Sequence, residues 1–157
     1  MSQLTWADPQ RQLACSAWLA ALAQTHGLVP ASLRIASADA SFRRYLRVDT
    51  LAGASLIVMD APPDKENCEP FVKVAKLMQL AGLKAPEVLA WHEAQGFMLL
   101  TDLGDQTMMS AMDAKNPQAN HALYMQAVDA LIAWQLSSQP GVLPPYDEAL
   151  LNRELSL

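Results

Sequence analysis

Apolar positions follow two rhythms along this chain. Behind Asp8-Pro9, an N-cap followed by proline at the first helical position, Cys15, Trp18, Leu19 and Leu22 recur at helical spacing. Gly27 is the expected stop of that helix, with Pro30 beyond it. Leu33 to Ser37 reads as a first strand. In Tyr45-Leu46-Arg47-Val48 the rhythm changes to period two, the pattern of a half-buried strand, and Leu56 to Met59 is an unbroken apolar run suited to a strand buried on both faces. The turn from Asp49 to Ala54 contains Gly53 and is short enough for a hairpin. A breaker-rich loop from Ala61 to Asn67 precedes a helix from about Pro70. Phe71, Val74, Leu77, Met78 and Ala81 line one side of it, and Lys73 and Lys76 the other. Gly82 ends this helix and Pro86 prevents its return. Val88 to His92 and Phe97 to Thr101 are two more strands.

After Thr101 the pattern becomes helical only. Thr107 to Met112 predicts a short Met-rich helix. Asn116-Pro117 opens a helix to about Ser138, with Leu123, Ala127, Leu131 and Trp134 spaced for burial. Asp147 caps a last helix through Leu150, Leu151 and Leu155. The fold class is therefore α+β: a five-stranded antiparallel sheet plus a helix, followed by the first helices of a second, helical layer. The last helix carries no stop signal, and the helical part is expected to be incomplete.

Composition narrows the function classes. The 157 residues are 52% apolar and 17% charged, enough for one folded core and unlike a disordered chain. A net charge of −5 argues against a general nucleic-acid binder. No apolar run is long enough to cross a bilayer, and the N-terminal residues lack a basic segment followed by an apolar one. Neither Cys15 nor Cys68 has the spacing of a metal ligand or redox pair, so free thiols in a cytoplasmic protein are the expectation. His26 and His92, at the ends of elements, are read as a helix-end and a surface histidine rather than as chemistry.

The stretch that carries chemistry is Ser37-Ala38-Asp39-Ala40-Ser41-Phe42-Arg43-Arg44. Small side chains let a backbone approach a ligand, successive N–H groups can cradle an anion, and arginine forks suit phosphate oxygens. A polar hairpin loop with two solvated arginines is the alternative, and one arginine is open to a structural ion-pair role.

Three segments, Ser37 to Tyr45, Ile57-Val58-Met59-Asp60-Ala61-Pro62-Pro63 and Leu99-Leu100-Thr101-Asp102-Leu103-Gly104, resemble the protein-kinase-like aminoglycoside phosphotransferase family. Within it they are most similar to the branch of anomeric N-acetylmuramate/N-acetylglucosamine kinases of bacterial cell-wall recycling. Pro144-Pro145-Tyr146-Asp147 and Arg153-Glu154-Leu155 also resemble that branch. The resemblance implies an ATP-dependent sugar kinase, with residues 1–101 as its nucleotide-binding lobe and 102–157 as the hinge and start of a truncated helical lobe. Ser37 to Arg43 would cover the phosphates, and Leu100, Thr101, Asp102 and Leu103 would meet adenine through the backbone.

Two departures from the kinase pattern stand out: the first loop has no glycine, and Val58-Met59-Asp60 has no lysine. Arg43 and Arg44 are the candidate replacements, Lys73 and Lys76 being read as a solvated face. Asp102-Leu103-Gly104 looks like a metal-binding Asp-Phe-Gly but follows the fifth strand directly, so it belongs to the hinge. None of His26, His92 and His121 begins His-x-Asp. No catalytic residue and no metal ligand is therefore assigned in this chain; the resemblance puts the base and the Mg²⁺ ligands in a missing C-terminal lobe. The expected partners are a nucleotide and, in the complete enzyme, a sugar, with no nucleic acid and no membrane, and with self-association through uncovered helices. Two other readings stand beside this one. They are a degenerate, non-catalytic kinase lobe that binds a partner, and a kinase for an aminoglycoside or amino-alcohol acceptor.

Overall fold

The computed structural model describes residues 4–38 and 42–156. Helix α1 (Pro9–His26) starts where Asp8 accepts a hydrogen bond from the Gln10 N–H at 2.8 Å and ends at Gly27, whose φ of 61° is left-handed. Five strands follow around one helix: β1 (Leu28–Ala38), β2 (Arg44–Thr50), β3 (Ser55–Asp60), α2 (Glu69–Leu80), β4 (Val88–His92) and β5 (Phe97–Thr101). The spatial order is β1-β2-β3-β5-β4, with every pairing antiparallel. The expected five-stranded α+β architecture is the observed one, and β4 and β5 have the expected bounds.

The sheet is covered on both faces. On one face Leu46, Val48, Val58, Phe97 and Leu99 pack against Cys15 and Leu19 of α1. Trp18 stacks on Phe97 at 5.7 Å between ring centroids. On the other face Met59, Met98 and Leu100 pack with Tyr45, Phe71 and Trp91. The apolar runs of β3 and β5 arise here: these two central strands contribute successive residues to opposite cores.

Three expectations need correction. The first strand begins at Leu28, not Leu33. Leu28 pairs with Thr50, and pairing is irregular between Val29 and Arg34, the stretch that holds Pro30. β1 lies at the edge of the sheet, where a proline without an N–H removes no ladder bond from an inner strand. The helix expected from Asn116-Pro117 is a 3₁₀ turn over Pro117–Asn120, and α4 proper is His121–Ser137. Asn116 gives no side-chain cap. Asn120 instead exchanges hydrogen bonds with the Asp113 backbone at 2.8 and 2.9 Å. Finally, the stripe from Leu123 to Trp134 is not buried: no described α4 residue is, and Leu131 is 53% exposed. Periodicity marks a face, but not whether a partner covers it.

The remaining helices are short. Thr107 caps α3 (Met108–Ala111), and Asp147 caps α5 (Glu148–Leu155) by accepting from the Leu150 N–H at 2.9 Å. On α2, Lys73 and Lys76 face solvent as expected, and Ala75 is its one buried residue. No described helix is long and apolar enough to cross a membrane.

Candidate functional site

A cleft of about 460 Å³ opens where the sheet meets the connector after β5. Its floor comes from alternate residues on the α2 face: Tyr45 and Arg47 of β2, Ile57 of β3 and Leu100 of β5. Ala36 and Ser37 of β1 form one wall, and Thr101 to Thr107 form the other. The volume lies in the range of ordinary small-molecule sites, which are concave, mostly apolar and carry a few fixed polar groups.

The fixed polar groups are Arg47 and Asp102. Arg47 grips the carboxylate with both arms of its fork, Nε donating to Oδ2 at 2.5 Å and Nη2 to Oδ1 at 3.0 Å. Ser55 Oγ adds a bond to Oδ2 at 2.7 Å, and the Gly104 N–H one to Oδ1 at 2.9 Å. The Arg47 hydrogen bonds, helped by those from Ser55 and Gly104 and opposed by burial, hold the Asp102 carboxyl down at about 2. Asp102 is thus a structural anion with its acceptors in use. Among the described residues no group of three His, Cys, Asp or Glu side chains forms a metal site. The Leu103 N–H, by contrast, donates to no group among the described residues.

The candidate residues divide between places. Ser37, Leu100, Thr101, Asp102 and Leu103 all line the cleft. Ala38 ends β1, and Asp39, Ala40 and Ser41 lie outside the described residues. Phe42 is exposed beneath the Lys65 ammonium, 4.8 Å from its ring centroid, and its N–H donates to Glu66 Oε1 at 3.2 Å. Arg43 Nε pairs with Glu66 Oε2 at 3.0 Å.

Arg44 points to the opposite face. It pairs with Asp60, lies over the Trp6 ring at 4.2 Å and donates to the Thr5 carbonyl at 3.2 Å. Asp60 is 1% exposed and also binds Arg11, through Nε at 2.6 Å and Nη2 at 2.5 Å. Arg43, just before β2, and Arg44, its first residue, therefore take separate partners, Glu66 and Asp60. In Val58-Met59-Asp60, the segment without a lysine, Val58 and Met59 are fully buried among apolar neighbours.

Sequence reasoning missed Arg47 and Asp60. The signal for Arg47 was present, since Tyr45 and Arg47 alternate with buried Leu46 and Val48. Its partner lies 55 residues away, and that of Arg11 lies 49 away, distances at which no local pattern pairs charges.

Residues 32–157 match the APH family, described as a phosphotransferase enzyme family. The N-acetylmuramate/N-acetylglucosamine kinase of Pseudomonas aeruginosa is 52% identical over 128 residues, covering 82% of this chain and 37% of that protein. The protein of the same name from Pseudomonas putida is 46% identical over 132 residues, covering 83% and 38%. That of Neisseria meningitidis serogroup B is 38% identical over 149 residues, covering 94% and 43%. The chain thus spans about two fifths of the length of the curated relatives it matches. With the family match running over most of the chain, from within β1 onward, the chain belongs to the phosphotransferase enzyme family.

Proposed function

We propose that this chain is the nucleotide-binding part of an ATP-dependent kinase for the anomeric hydroxyl of N-acetylmuramate or N-acetylglucosamine. The observation that carries the reading is the cleft itself. Its floor, with Tyr45, Ile57 and Leu100, suits a planar base, and the Leu103 N–H at its rim, unengaged among the described residues, is a donor for a ring nitrogen. The sugar comes from the names of the relatives, all of them kinases of this pair.

On this reading residues 1–101 form the nucleotide lobe, and 102–157 the hinge and the beginning of a helical lobe. The loop from Ser37 to Arg43 covers the phosphates, with Arg43, itself paired with Glu66, as its cation; Arg44 lies with buried Asp60 on the other face. A bound Mg²⁺ would neutralise charge on the transferring phosphate. Its ligands and the base would come from outside this chain, because Asp102 is committed to Arg47. Alone, the chain is then expected to bind nucleotide without turning over sugar. The apolar side of α4, which exposes Tyr124, Val128, Leu131 and Leu136, would pack against the rest of a longer chain or, without it, against a second copy.

Amide chemical shifts with and without Mg-ATP test the reading. Changes should cluster at Ala36, Ile57 and Leu100 to Leu103. Changes confined to α1 would overturn it. Sugar-1-phosphate formation by the 157 residues alone would overturn the assignment of the base elsewhere.

A further inference from the structure

The charged groups of the cleft join strands that are not neighbours. β3 separates β2 from β5, yet Arg47 of β2 grips the residue that follows β5. Ser55, the first residue of β3, reaches the same carboxylate, and Asp102 turns back to hold Gly104. One anion thus ties two strands to the connector. A solvated pair would do little. This one is a bidentate pair whose side chains are 18% and 7% exposed, and such networks hold geometry when all members are satisfied.

We propose that Arg47, Asp102 and Ser55 form a positioning network that fixes the Asp102–Gly104 connector against the sheet and so preorganises the cleft for a nucleobase. The inference rests on the nucleotide reading above. The three side chains act through the connector backbone, so they are positioning residues: their loss should weaken nucleotide binding by letting the connector move. A rigid cleft loses less freedom on binding than one that must be ordered by its ligand.

The test is titration of the chain with ATP, together with amide hydrogen exchange at Thr101 and Gly104, whose N–H groups are hydrogen-bonded on either side of Asp102, for the unaltered chain and three variants. Asp102→Asn should weaken ATP binding roughly tenfold or more and accelerate exchange along the connector. Ser55→Ala, which removes one donor and is the milder change, should move both readouts the same way by less. Arg153→Met is the control: its exposed pair with Glu154 lies outside the cleft, and it should move neither. Should Asp102→Asn not fold, Ser55→Ala carries the test alone. ATP binding by the network variants at the level of the unaltered chain would overturn the positioning role, even with faster exchange. Loss of binding no greater than that in Arg153→Met would do the same. Absence of ATP binding by the unaltered chain would instead overturn the nucleotide reading, and this inference with it.

Discussion

Replacing Gly96 by alanine should damage this fold far more than the same change at Gly53, although both glycines have left-handed backbones, with φ of 67° and 79°. Each substitution places a Cβ in a conformation that costs about 1–2 kcal/mol for an L-residue. At Gly53 a Cβ meets nothing within 4 Å, so the cost should stop there. At Gly96 a Cβ would overlap the Ala61 carbonyl oxygen and stand 3.0 Å from its carbon and 3.3 Å from Pro63 Cδ. The end of β3 and the β4–β5 turn must then separate. That breaks the bond from the Ala61 N–H to the Gly96 carbonyl, 2.9 Å long and next to a residue with no solvent exposure. An unsatisfied buried N–H costs about 1–3 kcal/mol. The bond from Arg11 Nη2 to the Gln95 carbonyl, at 3.0 Å, is strained with it. Together these give about 2–5 kcal/mol for Gly96→Ala against about 1–2 for Gly53→Ala. Urea unfolding of both variants, read as midpoint shifts at a common slope, measures the difference directly. If the two lie within about 1 kcal/mol of each other, the close approach of the two segments is not what selects glycine at 96.

Other expectations follow from the charges and thiols. Asp102 has a carboxyl depressed from 3.8 to about 2 in the fold, so its stabilisation is complete above pH 4 and is lost as pH falls through 2. Acid titration should therefore show about 2 kcal/mol less stability lost in that window for Asp102→Asn than for the unaltered chain. Arg44→Ala removes one of two cations from buried Asp60 and should lower stability by about 3 kcal/mol, the low end for a broken buried pair because Arg44 is partly solvated. Arg43→Ala should weaken ATP binding more than it lowers the melting temperature. If both arginine variants only destabilise the protein, the phosphate assignment fails. Burial pushes the Cys15 thiol up to about 11, with the Asp60 charge adding to it, and burial also raises Cys68. Both should resist a thiol reagent at neutral pH in the folded protein and react in urea; fast labelling of either in native buffer would contradict the packing.

Much of the architecture is legible in the residues because local rules act at the places that matter. Asp8 and Asp147 cap the helices they appear to cap, and Gly27 ends α1. The unbroken apolar runs of β3 and β5 announce strands with two buried faces. What local pattern misreads is governed by position in the sheet or by distant partners. Pro30 looks like a break, yet at an edge it is tolerated within β1. Arg43 and Arg44 look like a matched pair, but Glu66 pairs with one and buried Asp60 with the other. The Asp-Leu-Gly segment follows β5 directly, but the use of its aspartate is invisible without Arg47 beside it. On α4 the sequence supplies an apolar stripe that is only partly covered, with Leu123 and Trp134 half-buried and Leu131 exposed.

The irregular β1 edge also bears on how this molecule can go wrong. A sheet with open sides can recruit a strand from another molecule and grow into a fibril. Here one side carries Pro30 and a break in register between Val29 and Arg34. The other side is β4, only five residues long, with Pro86 shortly before it. Short strands, prolines and bulges are the devices that blunt such recruitment. Association at high concentration should therefore run through the apolar side of α4, giving reversible oligomers of native strand content rather than thioflavin-positive fibrils, and dilution should dissolve them.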